Sequence, residues 1–390
     1  MFDFDAIVTG GGIVGASAAL CLARGGHRVL LVDSRVPEPP ACRDGFDVRT
    51  VALSPGSINL LRSLGALEDV RRAPINRIVV SESEGTATID FDANEIGAET
   101  LAEVVETKVL VERLWTILAD RVELRAPSTV NAVEHFRDRV ELVIDKNAVS
   151  AACLVVAEGR RSATLQQLGI SVQDYKNNAR AIGTVVSTHK PHNGCALQHF
   201  GDGILALLPL PEERRISVVW SLPAMRHAQV LALDGRGFAA ALMHASEFAL
   251  GEITEVEARV SFPIGQSLVS DFNPMQRVIV IGDAARTLHP LAGQGVNLGL
   301  EDVRGIETVV GRLNGDLGAD GVWRQFAVRR RARGRMMLGL MNFFDQTYGA
   351  SGPYGRWARN LGVRTLNNVP AIKYQLMREA MGVGPLANLY

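Results

Sequence analysis

The chain has 390 residues, of which 47% are hydrophobic and 21% charged, the composition of a globular protein long enough for two domains. Its 41 basic and 42 acidic residues give a formal net charge of -1, so no overall positive field points to nucleic acid as a partner. Four scattered cysteines, with no CxxC motif or Cys/His cluster, argue against a metal site or a disulfide framework and for a reducing compartment.

The N-terminal residues show no signal-peptide pattern, because an acidic stretch runs directly into a predicted strand. No apolar stretch approaches the roughly 18 residues that a membrane-spanning helix needs. We therefore expect a soluble or peripheral protein.

A glycine motif follows the first predicted strand, residues 6–9, and precedes a helix predicted over residues 16–24. Gly10 permits a tight turn, Gly12 lets the backbone approach a pyrophosphate, and Gly15 lets the helix pack closely on the sheet. The next strand ends at Asp33, placed to accept a hydrogen bond from a ribose hydroxyl. The pattern predicts a dinucleotide site without separating NAD from FAD. A glycine-rich turn in an unrelated α/β sheet is the alternative, and it leaves the acid unexplained.

Two stretches in the middle of the chain, 77–94 and 179–263, alternate apolar and polar residues and predict an antiparallel sheet that roofs a pocket. Some of their apolar side chains are suited to contact with a hydrophobic aromatic substrate, although packing in the protein core explains them equally well. These candidates are Phe200, Leu205, Leu207 and Trp220.

The most informative stretch begins with an apolar strand, 278–281, that ends in Gly282 and Asp283. A stiff, glycine-containing turn leads from there into a helix predicted from about Asn297. A helix start presents free N–H groups and a partial positive charge, so the pattern indicates an anion or an electron-rich ring held against it. The turn and helix start contain His289, Pro290, Gly293, Gly295, Val296 and Asn297.

Four motifs together resemble the flavoprotein aromatic hydroxylases of the p-hydroxybenzoate hydroxylase fold, above all the subgroup that hydroxylates the ring of ubiquinone precursors. They are the glycine motif, the D-x-R-x-x-A-L-S string at 47–54, Ala157-Glu158-Gly159, and the LHPLAGQGVNLGLEDV string at 288–303. The resemblance covers nearly the whole chain.

The resemblance implies an α/β fold, α+β over the whole chain, in three parts. These are a discontinuous Rossmann-like FAD-binding domain at 1–76, 95–178 and 264–327, an antiparallel-sheet substrate domain at 77–94 and 179–263, and a helical C-terminal region at 328–390.

The resemblance also implies roles for individual residues. Gly10, Gly12 and Gly15 would contact the FAD pyrophosphate, Asp33 the adenosine ribose, Arg49 the phosphates or ring, and Asp283 the ribityl chain or ribose. Pro290, Gly293, Gly295, Val296 and Asn297 would face the isoalloxazine, and Glu158 and Gly159 would serve FAD and the passing NADPH or NADH.

Three of these residues have alternatives or departures. His289 would polarise the substrate phenol or line the flavin, with hydrogen bonding to backbone as the alternative. Asp283 could instead cap a helix. The family usually has Asp where this chain has Glu158, and an arginine near Thr164-Leu165, so the departure concerns the nicotinamide preference and flavin reduction.

The resemblance implies an FAD-dependent monooxygenase that uses O2 and NAD(P)H, through a flavin hydroperoxide, to hydroxylate a prenylated phenol in ubiquinone biosynthesis. The alternatives are a hydroxylase of a small soluble phenol and a non-catalytic FAD-binding scaffold in a quinone-biosynthesis complex. We expect a cytoplasmic protein, or one peripheral on the inner membrane. The basic run at 328–335 is either a solvated helix face or a surface that contacts an anionic membrane.

Overall fold

The computed structural model describes residues 2–39, 45–83, 88–175, 178–288, 294–313, 315–349, 374–375, 377–379 and 381–384, without the side chains of Gln294 and of 340–349. Its strands are β1 Phe4–Thr9, β2 Val29–Val32, β3 Thr50–Leu53, β4 Arg72–Ile75, β5 Arg77–Glu82, β6 Ile89–Asp92, β7 Ala102–Glu106, β8 Glu123–Arg125, β9 Val130–His135, β10 Val140–Ile144, β11 Asn147–Val156, β12 Val172–Tyr175, β13 Ala179–Thr188, β14 Cys195–Phe200, β15 Ile204–Pro209, β16 Arg215–Pro223, β17 Ile253–Val256, β18 Val260–Pro263, β19 Gln266–Val269, β20 Val278–Val280 and β21 Arg286–Thr287.

The helices are α1 Ile13–Arg24, α2 Pro55–Ser63, α3 Thr107–Leu118, α4 Ala163–Gln167, α5 Ala224–Leu231, α6 Gly235–Ala245, α7 Gly282–Ala285, α8 Gln294–Val310 and α9 Arg324–Gly349, with a short 3-10 helix at Ala93–Ile96.

A seven-stranded sheet in the order β8-β2-β1-β11-β10-β9, with β20 also paired to β11, forms the first layer. The strands β8, β2, β1, β11 and β20 run parallel. Most residues of β1, β2, β11 and β20 are apolar and buried, which is typical of strands covered on both faces, whereas the edge strand β8 has no buried residue. Ile7 pairs with Leu30 on one side and with Leu154 on the other, so the glycine turn after β1 lies at the carboxyl edge of the sheet.

The second layer is an eight-stranded sheet in the order β17-β13-β16-β15-β14-β5-β6, with β18 paired to β13. Its pairs are antiparallel, as the sequence predicted, except for β5 and β14, which run parallel. A parallel pair needs a long connection between its two strands. The connection from β5 to β14 is long, because it includes most of the first sheet.

Side-chain alternation divides the second sheet into two faces. Trp220, Leu205 and Leu207 pack with residues of α5 and α6 in one buried cluster. These three side chains are therefore core of the sheet and its helices, while Phe200 belongs to the core of the first layer. The opposite face of the sheet meets β3, where Thr50 Oγ1 and Ser217 Oγ lie 2.7 Å apart.

Two three-stranded sheets, β3-β7-β4 and β12-β19-β21, join the layers, and α9 packs on α8 at the C-terminal side. The mixed α/β architecture with C-terminal helices confirms the predicted fold class. The predicted domain bounds stay predictions, although α9 begins at Arg324, four residues before the predicted C-terminal region. Among the described residues, no helix combines the length and apolarity needed to cross a bilayer.

Candidate cofactor site

The glycine turn after β1 is shaped by two close backbone approaches. Gly10 has φ +100°, and a Cβ there would overlap the Ala157 carbonyl at the end of β11. A Cβ at Gly15 would overlap the Gly10 carbonyl. Gly12 is different, since a Cβ there would meet nothing within 4 Å in the part of the chain that the structure describes. Gly10 and Gly15 therefore serve the packing of the turn, whereas Gly12 borders open space.

Gly12 is also the N-cap of α1, and no side chain caps this helix. The first N–H groups of a helix have no partner within the helix, and they carry its partial positive charge. A Cβ at Gly12 would have no neighbour within 4 Å among the described residues, so this helix start borders open space. This helix start can hold an anion such as a pyrophosphate.

Asp33 lies just past β2, beside the same turn. Its Oδ2 accepts a hydrogen bond from the Gly11 N–H at 2.6 Å, and its Oδ1 accepts one from the Arg35 N–H at 2.9 Å. The carboxylate is only partly buried, so it keeps acceptor capacity for a hydroxyl group.

Trp115 in α3 is a contributor that the sequence reasoning missed. Its indole Nε1 donates a hydrogen bond to the Gly11 carbonyl at 2.7 Å, and its ring packs against the Gly11 Cα. The sequence carries no local signal for this contact, because 104 residues separate the two partners.

Asp283 lies in the first turn of the four-residue helix α7, whose N-cap is Ile281. Among the described residues, none donates a hydrogen bond to the Asp283 carboxylate. The side chain is exposed, yet the protein packed around it raises the pKa of the carboxyl, mainly through desolvation. We call the space in front of this exposed carboxylate the recess. Ile281 is the N-cap of α7 and no side chain caps this helix, which argues against the helix-cap alternative for Asp283.

The helices α1, α7 and α8 converge at this recess. Gly282 has φ +60°, and a Cβ there would lie 3.1 Å from Val14 Cγ1 of α1. A Cβ at Gly299 of α8 would lie 2.5 Å from Val14 Cγ2 and 3.3 Å from Gly282 Cα. The two glycines thus let α8 and the Asp283 turn approach the first turn of α1.

The start of α8 brings Gly295 beside Asp283, since a Cβ at Gly295 would lie 3.6 Å from Asp283 Oδ1. Gly295 and Val296 are partly exposed in the first turn of the helix. The predicted residues His289, Pro290 and Gly293 lie outside the described residues.

The side chain of Asn297 is hydrogen-bonded within the protein. Its Oδ1 accepts hydrogen bonds from Ser54 N–H and Ser57 Oγ, both at 2.8 Å, and its Nδ2 donates to the Ala52 carbonyl at 2.8 Å. The side chain is buried and joins α8 to β3 and α2. Only the backbone of Asn297 remains for a ligand.

Arg49 lies at the junction of the two layers, with its side chain exposed. Its N–H donates to Asp47 Oδ1 at 3.1 Å, and its carbonyl accepts from the Thr107 N–H at 2.9 Å. The neighbouring Thr50 reaches Ser217 of the second sheet. The backbone is held on both sides, and the guanidinium is left toward solvent.

Glu158 is hydrogen-bonded to the start of the short helix α4, whose N-cap is Ser162. Its carboxylate accepts hydrogen bonds from Ser162 Oγ and Thr164 Oγ1, each at 2.6 Å, and from the Thr164 N–H at 3.1 Å. Gly159 adopts φ +79° in the connecting turn. Both residues follow Ala157, whose carbonyl abuts Gly10, so the segment adjoins the glycine turn while the Glu158 carboxylate is engaged locally.

These observations fit a dinucleotide with a pyrophosphate and hydroxyl-bearing chains. An open helix start suits the anion, and the partly exposed Asp33 and Asp283 suit sugar or ribityl hydroxyls. The Glu158 carboxylate and the Asn297 side chain, by contrast, are already satisfied within the protein.

Comparison with known proteins agrees with this geometry. Residues 3–335 match the FAD binding domain family. The chain is 32% identical to the 3-demethoxyubiquinol 3-hydroxylase of Escherichia coli over 96% of this chain and 98% of that protein. It is 30% identical to ubiquinone hydroxylase UbiL of Rhodospirillum rubrum over 97% and 89% of the two chains.

Among solved structures, p-nitrophenol 4-monooxygenase PnpA of Pseudomonas putida superposes with a TM-score of 0.79 at 18% identity. The superposition covers 97% of this chain and 98% of that one. At this identity the likeness concerns the fold.

Proposed function

The chain belongs to the FAD binding domain family, in the branch of the ubiquinone-biosynthesis hydroxylases, and from this we propose that it hydroxylates the aromatic ring of a prenylated phenol. It is an FAD-dependent monooxygenase. Bound FAD supplies the redox chemistry that places one atom of O2 on the ring, with NADPH or NADH as the source of electrons.

The observation that carries the assignment of the site is Asp283. It is an exposed carboxylate without a donor among the described residues, in a recess that α1 and α8 also reach. We assign Asp283 to the ribityl or ribose hydroxyls and Asp33 to the adenosine ribose. The open start of α1 at Gly12 holds the pyrophosphate.

The backbone N–H groups of Gly295 and Val296 begin α8 beside Asp283. Preorganised donors of this kind stabilise negative charge on a ring that lies against them. Arg49, the residue before β3, adds an exposed positive charge for the phosphates or the ring of FAD. Glu158 shapes the segment next to the glycine turn, and its own carboxylate is held by α4.

The ring of the substrate faces the side of the second sheet that turns away from α5 and α6. Register places Gln198, Ala206 and Val219 next to one another on that face. Their neighbour Ser217 lies 2.7 Å from Thr50 of β3, in the small sheet that joins the two layers, which supports a substrate position between this face and the cofactor. A sheet closing over the ring excludes water from the reacting atoms.

A prenylated substrate resides in a lipid bilayer, and the outer surface of α9 suits peripheral contact with one. Residues 324–339 include six arginines and no acid. Arg324 and Arg335 are exposed there, beside Val328 at 63% and Met336 at 41% relative exposure. Basic side chains interleaved with exposed apolar ones favour an anionic membrane surface.

The substrate proposal is tested with purified protein that is loaded with FAD and assayed with NADPH and isotopically labelled O2. A prenylated phenol should gain one labelled oxygen, and the same phenol without its tail should react far more slowly. Equal rates would favour a hydroxylase of soluble phenols. Tight FAD binding without NADPH- or NADH-dependent bleaching would favour the scaffold.

The membrane proposal is tested by co-sedimentation with vesicles of anionic or neutral phospholipid. The full chain should bind the anionic vesicles, and the pair Arg324→Glu and Arg335→Glu should abolish binding. Arg214→Glu with Arg236→Glu is the matched control, because these exposed arginines lie on the second layer. If both double variants lost vesicle binding equally, the binding would depend on net charge alone, and the result would contradict a specific membrane surface on α9.

A further inference from the structure

A buried ionic cluster lies directly behind the recess. Three cations and three acids alternate within it, and every side chain is at most 13% exposed. The cluster consists of Arg286, Glu301, Asp302, Arg330, Arg333 and Glu379.

Asp302 of α8 is the centre of the cluster and is fully buried. Its Oδ2 accepts a hydrogen bond from the Gly282 N–H at 2.9 Å, and its Oδ1 accepts one from Arg286 at 3.0 Å. These partners lie one residue before Asp283 and three residues after it. One carboxylate therefore holds the Asp283 turn from both ends.

Arg330 of α9 fixes that carboxylate and the start of α8 together. Its Nε donates to Asp302 Oδ1 at 2.6 Å, while its second nitrogen donates to Glu301 Oε2 at 2.9 Å and to the Leu298 carbonyl at 3.2 Å. Leu298 is the residue after Asn297. The planar guanidinium thus spans the two segments that border the recess, a geometry that a lysine cannot reproduce.

The cluster also changes the interpretation of the basic run. Arg330 and Arg333 share a buried helical stripe with Phe326 and Met337, at spacings of three and four residues. They face neither solvent nor a membrane, so the two interpretations offered for the run are wrong for these two arginines. A buried charge pair contributes little net stability compared with apolar packing, which favours a role in geometry over one in stability.

We infer that Arg330, acting through Asp302, is a positioning residue that holds the Asp283 turn and the start of α8 in register for FAD. The inference rests on the proposed location of FAD at Asp283. It predicts that a defect at Arg330 appears in cofactor binding and in the properties of the bound flavin, and not merely in folding.

The test uses the full chain with Arg330→Lys and Arg330→Met, compared with Arg277→Lys and Arg277→Met. Arg277 is a matched control, because it is 7% exposed, pairs with Asp316 at 2.8 Å, and precedes β20 at the end away from the recess. Three quantities are measured: the FAD dissociation constant from flavin fluorescence, the midpoint potential of the bound flavin, and the melting temperature of the apoprotein.

We expect Arg330→Lys to weaken FAD binding about tenfold or more, equivalent to about 1.4 kcal/mol, and to shift the flavin potential. Arg277→Lys should leave both unchanged at a comparable loss of melting temperature. If the Arg330 variants do not fold, the same three quantities are measured for the nearly isosteric variant Asp302→Asn, with the same expected weakening of FAD binding and shift of the flavin potential.

Unchanged FAD affinity and potential in folded variants would overturn the inference, as would failure of all the variants to fold. If the unsubstituted protein itself bound no FAD, the proposed function would fail instead. Loss of FAD in Asp283→Asn together with normal binding in Arg330→Lys would keep the site and overturn only the positioning role.

Discussion

Asn297 Oδ1 accepts a hydrogen bond from the Ser54 N–H at 2.8 Å, across 243 residues of sequence. The bond joins the start of α8 to the start of α2, and both segments belong to motifs that the sequence singled out separately. The Ser57 hydroxyl donates to the same oxygen. The two motifs therefore form one structural unit at the edge of the cofactor recess.

Removing this connection should cost stability. Asn297→Ala removes the acceptor of the Ser54 N–H and a donor to the Ala52 carbonyl at a buried place, so we expect a loss of about 3 kcal/mol. Urea unfolding of the apoprotein measures it. Asn59→Ala, at an exposed position of α2, is the control and should stay within about 0.5 kcal/mol of the unsubstituted protein. A similar small change in Asn297→Ala would contradict the structural role.

Gly12, the N-cap of α1, and Gly15, in its first turn, should respond differently to alanine. Gly12→Ala adds a methyl group into open space, so the apoprotein should keep its melting temperature while FAD binding weakens about tenfold or more. Gly15→Ala forces a methyl group onto the Gly10 carbonyl and should cost about 1–3 kcal/mol of folding stability. Calorimetry and flavin fluorescence separate the effects. Equal FAD affinity in Gly12→Ala would exclude a close pyrophosphate.

The Asp283 carboxylate should lower the stability of the apoprotein near neutral pH while it strengthens FAD binding. Desolvation raises its folded pKa above the ordinary value of 3.8, so the stability it contributes is complete below that pH and is lost as pH rises through the folded pKa. Asp283→Asn removes this loss, and the apoprotein should melt at the same or a higher temperature near neutral pH while FAD binding weakens.

The difference in melting temperature between Asp283→Asn and the unsubstituted apoprotein should grow as pH rises above about 4, and it should level off once the folded carboxyl is ionised. Melting curves across that range measure it. A variant that destabilises the apoprotein and binds FAD normally would make the acid structural.

Glu158 should stabilise the start of α4 through its hydrogen bonds to Ser162 and Thr164. Glu158→Gln weakens the hydrogen bonds from Ser162 and Thr164, and Glu158→Asp withdraws the carboxylate by about one methylene, so each should cost about 1 kcal/mol. Stopped-flow reduction by NADPH and by NADH tests the second role that the motif suggests. Unchanged reduction rates in Glu158→Asp would confine the residue to stabilising α4.

Adjacent residues of β16 should separate core from substrate contact. Val218→Ala, at a fully buried position that packs with α5 and α6, should cost about 1–2 kcal/mol of stability with little effect on KM. Val219→Ala, on the opposite face, should change KM for the phenol with a smaller loss of stability. Steady-state kinetics and urea unfolding measure both, and the reverse pattern would place the substrate elsewhere.

Much of the fold followed from local patterns. The glycine motif between β1 and α1, the carboxylate after β2, and the strand that ends before Gly282 all occur where periodicity predicted them, since these signals depend on neighbours in sequence. Alternation also predicted the second sheet, but it could not say which face of β16 meets the helices.

Other features depended on partners far apart in the chain. The contact of Trp115 with Gly11 has no local signature. The spacing of Arg330 and Arg333 is consistent with burial, because they continue the helical stripe of Phe326 and Met337. The composition points the other way, because six arginines within twelve residues are typical of an exposed helix face. Their burial depends on acids supplied by α8 and by residue 379.

By itself, the sequence determined the chemistry of the site: an open helix start for an anion, carboxylates at the ends of two strands, and a family resemblance that identifies FAD. Only the tertiary structure decided which polar side chains are free for a ligand. Asp283 is free of donors among the described residues, whereas Asn297 and Glu158 have their hydrogen bonds satisfied within the protein. The reason is that hydrogen-bonding capacity is limited, and the partners that use it are set by packing across the whole chain.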